Sequence, residues 1–204
     1  MKLLSQSHSP YARKVLVLIH ELSLQHIAIE HHETSPTTYN ADIFSVNPMG
    51  QVPVLITDDG QKIFDSEVIC DFLCTVHKAE QILPREPIER AGVLREQAIA
   101  SGMCEAGIAV RWETERRPTE LRYPKLKDGQ ILKLKSSYAF LESNANLDDN
   151  LTLGSIALAC ALDWLAFRKL DVYAENTPRL FAWLDHMRLR PSMKATAYSG
   201  NTID

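Results

Sequence analysis

Short apolar runs alternate with helical apolar spacings through the first 80 residues, and helical spacings alone fill the rest. Lys2–Ser5 predicts a short strand. Ser9-Pro10 then opens a helix, because Ser is a favoured N-cap and Pro suits the first helical position. Behind it, Val15, Leu18, Ile19 and Leu22 recur at the three-and-four spacing of one buried face. Gln25–Glu30 alternates, with Ile27 and Ile29 on one face, and predicts a second strand. Thr37–Val46 carries a weak helical pattern that Asn47-Pro48 stops. Val52–Ile56 and Lys62–Phe64 flank the turn signal Asp58-Asp59-Gly60 and read as a hairpin. Ser66 caps a third helix whose apolar face is Ile69, Phe72, Leu73 and Val76. The order βαβαββα implies a parallel βαβ unit followed by an antiparallel hairpin. That makes a mixed four-stranded sheet with helices on it.

The pattern changes after Leu83. The prolines of Leu83-Pro84-Arg85-Glu86-Pro87 remove donors and block helix continuation, so this stretch reads as a linker. Beyond it only helices are predicted. They are Ile88–Glu115, Gly129–Asn146 (with Ile131, Leu134, Tyr138 and Leu141 inward), Leu153–Lys169, and Pro178–Arg188 (with Leu180, Phe181, Leu184 and Met187 inward). Leu153–Lys169 is apolar almost all round, as a central buried helix is. The expected organisation is an α/β unit over 1–80, a linker over 81–87 and an all-helical unit over 88–204.

Length agrees with two units: 204 residues are about 1.4 domains at roughly 150 residues each. Charge marks the same division. Residues 1–80 hold five Lys and Arg against ten Asp and Glu, whereas 81–204 hold seventeen against sixteen. No apolar stretch approaches the roughly 20 residues of a membrane span, and polar residues follow Met1–Ser5 at once, so neither a span nor a signal-peptide core is expected. A net charge of −4 gives no general reason to expect nucleic acid. Cys70, Cys74, Cys104 and Cys160 form no CxxC or zinc-ribbon spacing, which points to reduced thiols in a cytoplasmic protein without a metal.

Three places hold candidate chemistry. At Ser9-Pro10 a strand ends just before a helix N-terminus, where backbone N–H groups and the helix dipole favour an anion and a hydroxyl can donate to a thiolate. Read alone, Ser9 is as well explained as a cap. At Gln51-Val52-Pro53-Val54 a proline at a strand entry leaves the Val52 backbone free to pair with an extended peptide. An ordinary edge-strand proline has the same appearance. At Asp65-Ser66 a second helix N-terminus suits a carboxylate, and the Asp suits an ammonium group. A capping pair is the plainer alternative.

Their order and spacing are more specific than any one of them. Ser5 to Val15 (SQSHSPYARKV), Asn47 to Leu55 (NPMGQVPVL) and Asp65 to Ile69 (DSEVI) together resemble the glutathione S-transferase superfamily. They are most similar to bacterial serine-type members that open with S-P-[YF]-x-R-K. The stretch from Thr177-Pro178-Arg179-Leu180 through Trp183 to Arg190-Pro191-Ser192 resembles the end of that family's helical domain. The resemblance implies a thioredoxin-like N-terminal domain, an all-α C-terminal domain and a homodimer. It assigns Val52 to the cysteinyl backbone of glutathione, makes Pro53 the family's cis-proline, and gives Asp65 and Ser66 the γ-glutamyl end. Ser9 falls where the family faces the glutathione sulfur. The implied activity is attack of a glutathione thiolate on a small, partly hydrophobic electrophile, with glutathione as co-substrate.

For that electrophile the candidates are Tyr11, Met103, Cys104 and Trp112, with the core an equal expectation for Met103 and Trp112. Arg13, Lys14, Gln51 and Arg111 are candidates for the glycyl carboxylate, and Ser5 and Ser7 compete with Ser9 for the sulfur. The family's Asp three residues after its sixth-helix cap is replaced by Ser155 after Thr152, which predicts a weakened capping box. Neither a Tyr on the first strand nor a Cys at position 9 is present. A glutathione-binding or protein-interaction homologue without turnover, or a glutathione-dependent isomerase or dehalogenase, therefore remains as an alternative. Outside these segments, His31-His32 point to opposite faces of a strand, Cys70 and Cys74 read as core, and Arg116-Arg117, Arg188 and Arg190 read as solvated helix ends.

Overall fold

A computed structural model describes residues 1–148 and 150–200; the last four positions of the expected helical unit, 201–204, lie outside them. Strand β1 (Lys2–Ser5) is central in a sheet of order β2-β1-β3-β4. It pairs in parallel with β2 (Ala28–His31) and antiparallel with β3 (Val54–Ile56), which pairs antiparallel with β4 (Lys62–Ile63). Leu3 and Leu4 of β1 and Val54 and Leu55 of β3 are buried because helices cover a sheet too small to protect itself.

Helix α1 (Pro10–Glu21) starts as its sequence dictates. The Ser9 Oγ accepts from the Ala12 N–H across 3.2 Å and Pro10 occupies the first turn. Helix α2 is a single turn, Ala41–Phe44, shorter than the expected Thr37–Val46. Asn40 Oδ1 takes the N–H groups of Asp42 and Ile43, which starts the helix there, and the Ser35 hydroxyl turns the preceding chain by accepting from Thr37 N. The second strand also differs from expectation. Ile27 precedes it and is buried, whereas Ile29 lies in an edge strand whose residues are all exposed.

Helix α3 (Ser66–Val76) is capped by Asp65, not Ser66: Asp65 Oδ1 accepts from Glu67 N at 2.9 Å and Val68 N at 3.4 Å. Its buried face is Ile69, Cys70, Leu73 and Cys74, and Val76 is exposed.

The remainder is helical. Helix α4 (Pro87–Arg111) runs into a π-helical segment, Trp112–Arg116, where the Arg117 N–H reaches the Trp112 carbonyl five residues back. Helix α5 (Pro124–Asn144) begins five residues before the expected start, because Pro124 fits a first turn. Helix α6 (Leu153–Phe167) has every residue from Leu153 to Leu162 buried and lies at the centre. Helices α7 (Pro178–Arg188) and α8 (Pro191–Ala195) follow. At five residues, α8 is too short to show a periodicity.

The expected weakness at the start of α6 is overturned. Thr152 Oγ1 accepts from Ser155 N at 3.1 Å, and Ser155 Oγ accepts from Thr152 N at 2.9 Å. A serine hydroxyl thus closes the box that an acidic residue closes elsewhere. Helix α6 packs chiefly on α4 and α1. The first contact depends on two glycines. A Cβ on Gly107 would sit 2.8 Å from the Trp164 ring, and one on Gly154 would sit 2.7 Å from the Val93 carbonyl.

No helix among the described residues is long and apolar enough to cross a membrane. The architecture is an α/β N-terminal half with a mixed four-stranded sheet, and an all-α C-terminal half.

Candidate functional site

The first residues of α1 and α3, the turn before β3 and the last turns of α4 converge on a cavity of about 640 Å³. Ser9, Tyr11, Gln51, Val52, Pro53, Asp65, Ser66 and Trp112 all line it. Segments 56 residues apart in the chain, Ser9 and Asp65, meet because β1 and β3 are neighbours and both helices start at the same end of the sheet.

Each part is held by identifiable contacts. Ser9 sits on a loop tied at both ends, with its N–H on the Gln6 carbonyl and the His8 carbonyl receiving the Trp164 indole N–H at 3.1 Å. Val52 and Pro53 lie beyond the last β3–β1 pair, which ends at Val54, so the Val52 backbone is outside the ladder. The Val52–Pro53 peptide bond is cis. Buried Asn47 shapes the turn before it, donating to the Gln51 carbonyl at 2.8 Å and accepting from Met49 N at 3.0 Å. Gly50 fits beneath the Phe44 ring, where a Cβ would come within 2.4 Å. Thr34 is fixed by Gln6, whose amide donates to the Thr34 carbonyl and accepts from its hydroxyl.

The sequence did not single out Thr34, Phe44, Asn47 or Glu105 as part of a site. Only Asn47 carried a local signal, as an Asx turn before Pro and Gly.

The phenol of Tyr11 is pushed well above its ordinary range, first by burial and then by Cys104, Glu105, Asp65 and Glu67. It therefore stays protonated and can act as a donor. The protein's own thiols are held protonated by the same physics. Burial pushes Cys70 up to about 12 and Cys74 and Cys160 up to about 11, and it raises Cys104 further.

Several expectations are corrected. Met103 and Cys104 do not line this cavity; they face inward from α4 and are buried in the core. Ser5 is fully buried, and Ser7 Oγ donates to the Ser199 carbonyl, so of the three serines only Ser9 lines the cavity. Arg13 and Lys14 are buried and do not line it either. The Arg13 guanidinium pairs with Asp163, donates to the Met193 carbonyl at 3.1 Å and lies 4.2 Å from the Tyr198 ring centroid. Arg111 pairs with Glu115 across 3.2 Å and is not in the lining. Of the four groups considered for a glycyl carboxylate, Gln51 alone lines the cavity.

The other arginines are not simply solvated helix ends. Arg188 bridges Asp163 and Asp185, and Arg190 holds Glu21 with both its Nε and Nη2. Arg117 pairs with buried Glu113, and Arg116 stacks 5.6 Å from the Trp112 centroid.

This fold and cavity define a class. The model of the glutathione S-transferase N-terminal domain matches residues 8–76, and that of the C-terminal domain matches residues 123–191; the chain belongs to the glutathione S-transferase family. Among its relatives is the uncharacterized GST-like protein YibF of Escherichia coli, 31% identical, with 96% of this chain and 98% of that protein covered. A crystal structure of a glutathione transferase family member from Pseudomonas fluorescens Pf-5 with bound glutathione is 35% identical. It superposes with a TM-score of 0.92 over 98% of this chain and 99% of that one. A structure of the Pf-5 protein with bound S-(propanoic acid)-glutathione, also 35% identical, covers 98% of this chain and 100% of that one with a TM-score of 0.87.

Proposed function

We propose that this protein is a glutathione S-transferase in which Ser9 stabilises the glutathione thiolate for attack on a small, partly hydrophobic electrophile. The observation that carries the reading is the convergence of Ser9, the Val52 backbone and Asp65-Ser66 on one cavity. Glutathione lies along these groups with its cysteinyl part against Val52 and Pro53, its γ-glutamyl end at Asp65 and Ser66, and its sulfur at Ser9. The glutathione and glutathione thioether bound by the relatives support this reading, since a thioether is the product such an attack forms. The opening Ser9-Pro10-Tyr11-Ala12-Arg13-Lys14 supports assignment to the serine-type members.

Ser9 Oγ already accepts from Ala12 N, so its own proton is the one it offers to the cavity. A thiol of pKa about 8.5 is only about 3% ionised at neutral pH, and two units of depression make it about three-quarters ionised. That depression needs about 2.7 kcal/mol of preference for the thiolate. A hydroxyl donor to a charged acceptor supplies about 1.5–3 kcal/mol, and the N-terminus of α1 adds up to about 1. The thiol proton leaves to solvent, and the thiolate then forms the carbon–sulfur bond to an electrophile lodged between Tyr11 and Trp112, whose leaving group, chloride in a chloroarene, departs with the bonding electron pair. A cytoplasmic homodimer belongs to the same proposal, and sedimentation checks its stoichiometry.

Calorimetry with glutathione, followed by initial rates with 1-chloro-2,4-dinitrobenzene, tests the function. Binding together with turnover is expected. Binding without turnover of this or other haloarenes would leave a ligand-holding homologue, and no binding at millimolar glutathione would overturn the reading.

A further inference from the structure

The part of the cavity not assigned to glutathione is walled by Glu105, Ile108 and Ala109 on the last turns of α4 and by Trp112 at the start of the π-helical segment, with Tyr11 and Phe44 also in the lining. These are aromatic or aliphatic groups with one carboxylate among them. The lining contains two charged side chains, Asp65 and Glu105, and both are acidic. Among the described residues no Lys, Arg or His is in it. The basic residues nearest in the chain stay out of the lining: Arg111 pairs with Glu115, and Arg116 stacks on the ring of the wall residue Trp112. Glu67 lies beside this wall as well, accepting from Ser101 Oγ at 2.8 Å. No ion pair among the described residues engages Glu105. A ligand entering here therefore meets the charge of Glu105 with no cationic side chain in the lining to pair with it.

We infer that the electrophile subsite selects by charge. It takes aromatic or apolar electrophiles that are neutral or positively charged, and Glu105 disfavours those carrying a carboxylate, sulfonate or phosphate. The inference rests on the transferase reading for the position of the reacting sulfur. Two negative charges precede the electrophile into the cavity, the Glu105 carboxylate and the thiolate itself. An anionic substrate is repelled by both, and a cationic one is drawn to both. Discrimination by Glu105 alone is about tenfold, the size of a unit-charge interaction across several ångströms in a partly screened site.

The test uses three probes with one reacting centre: 4-chloro-3,5-dinitrobenzoate, its neutral N-methylamide and its cationic 2-(trimethylammonio)ethylamide. In each, the thiolate forms the carbon–sulfur bond and chloride leaves with the bonding electron pair. Each kcat/KM is divided by the probe's uncatalysed rate with glutathione, which removes differences in intrinsic reactivity. The expected order is cation, then neutral, then anion. In Glu105→Gln the neutral-to-anion ratio falls about tenfold, and in Glu105→Lys the order reverses. Glu105 is exposed, so neither change threatens folding.

Binding of the three pre-formed glutathione conjugates is measured by calorimetry in parallel. The same ranking in binding without turnover would sustain the charge selection while removing the transferase reading. Turnover of all three probes with equal normalised rates, or a ratio unmoved in Glu105→Gln, would overturn the charge selection alone. Failure of all three conjugates to bind would overturn both.

Discussion

The Trp164 indole N–H donates to the His8 carbonyl across 3.1 Å, so the central helix of the all-α half holds the residue that precedes Ser9. Trp164 is 2% exposed, which makes this bond inaccessible to water. The helical half therefore shapes the Ser9 side of the cavity as well as the side that α4 walls. Trp164→Phe removes the buried indole donor to the His8 carbonyl and is expected to lower stability by about 1–2 kcal/mol in urea denaturation. If the loop carries the reacting group, kcat falls more than glutathione affinity; an unchanged kcat would show that Ser9 is placed without this bond.

Ser9→Ala removes a helix cap and, in the proposed mechanism, the donor to the sulfur. Stability is expected to fall by about 1 kcal/mol from the lost cap. The pH midpoint of kcat/KM is expected to move up by about one unit, because one unit corresponds to 1.36 kcal/mol of lost thiolate preference. Equal activity in wild type and Ser9→Ala at every pH would remove Ser9 from the mechanism.

Asp65 caps α3 and, in the proposed function, binds glutathione, and two substitutions separate these roles. Asp65→Ala loses the cap on Glu67 and Val68 and is expected to cost about 1 kcal/mol of stability together with glutathione affinity. Asp65→Asn keeps a good cap but loses the charge. Thermal unfolding should return near wild type in Asp65→Asn while calorimetry still reports weakened glutathione. Recovery of both would mean that the carboxylate serves only the helix.

The tie between α1 and α8 gives a pH dependence. Burial acts to raise the Glu21 carboxyl, but hydrogen bonds from Arg190 and Ser192 outweigh it and hold the group below its ordinary value of 4.5. A depressed folded value means the contribution is full above about 4.5 and is lost as pH falls through the lower, folded value. Glu21→Gln should therefore be less stable by about 1–2 kcal/mol at neutral pH, with the difference shrinking toward zero in acid. Urea midpoints of both proteins across that range check the sign.

Gly107→Ala places a methyl group 2.8 Å from the Trp164 ring and 2.9 Å from Leu165. Neither side chain has room to withdraw from the α4–α6 contact, so a loss of about 1–3 kcal/mol is expected from overpacking. Gly102→Ala on the same helix meets nothing within 4 Å and serves as the comparison. Equal stability of the two variants would show that α4 and α6 can move apart.

Periodicity and caps are properties of neighbouring residues, and these the chain declares locally. Ser9-Pro10 starts α1, the proline-rich stretch precedes α4, and the all-apolar run over 153–162 becomes the buried central helix. Local competition explains the misplaced ends. Asp65 outreached Ser66 for the N–H groups of α3, and Asn40 shortened α2 to one turn. The ordered segments around Ser9, Val52 and Asp65 were also legible, because the same stretches of backbone carry both the fold and the cavity.

What pairs across the molecule could be decided only by the tertiary structure. Arg13 and Arg188 have ordinary surface-helix sequence surroundings, yet both reach Asp163, and for Arg13 that partner lies 150 residues away. Periodicity names an inward side of α4 but not how far round it the cavity begins. Met103 and Cys104 consequently fell into the core, while Glu105, Ile108 and Trp112 became the cavity wall. Burial and pairing depend on which faces meet, and that is settled by packing α6 against α1 and α4 together.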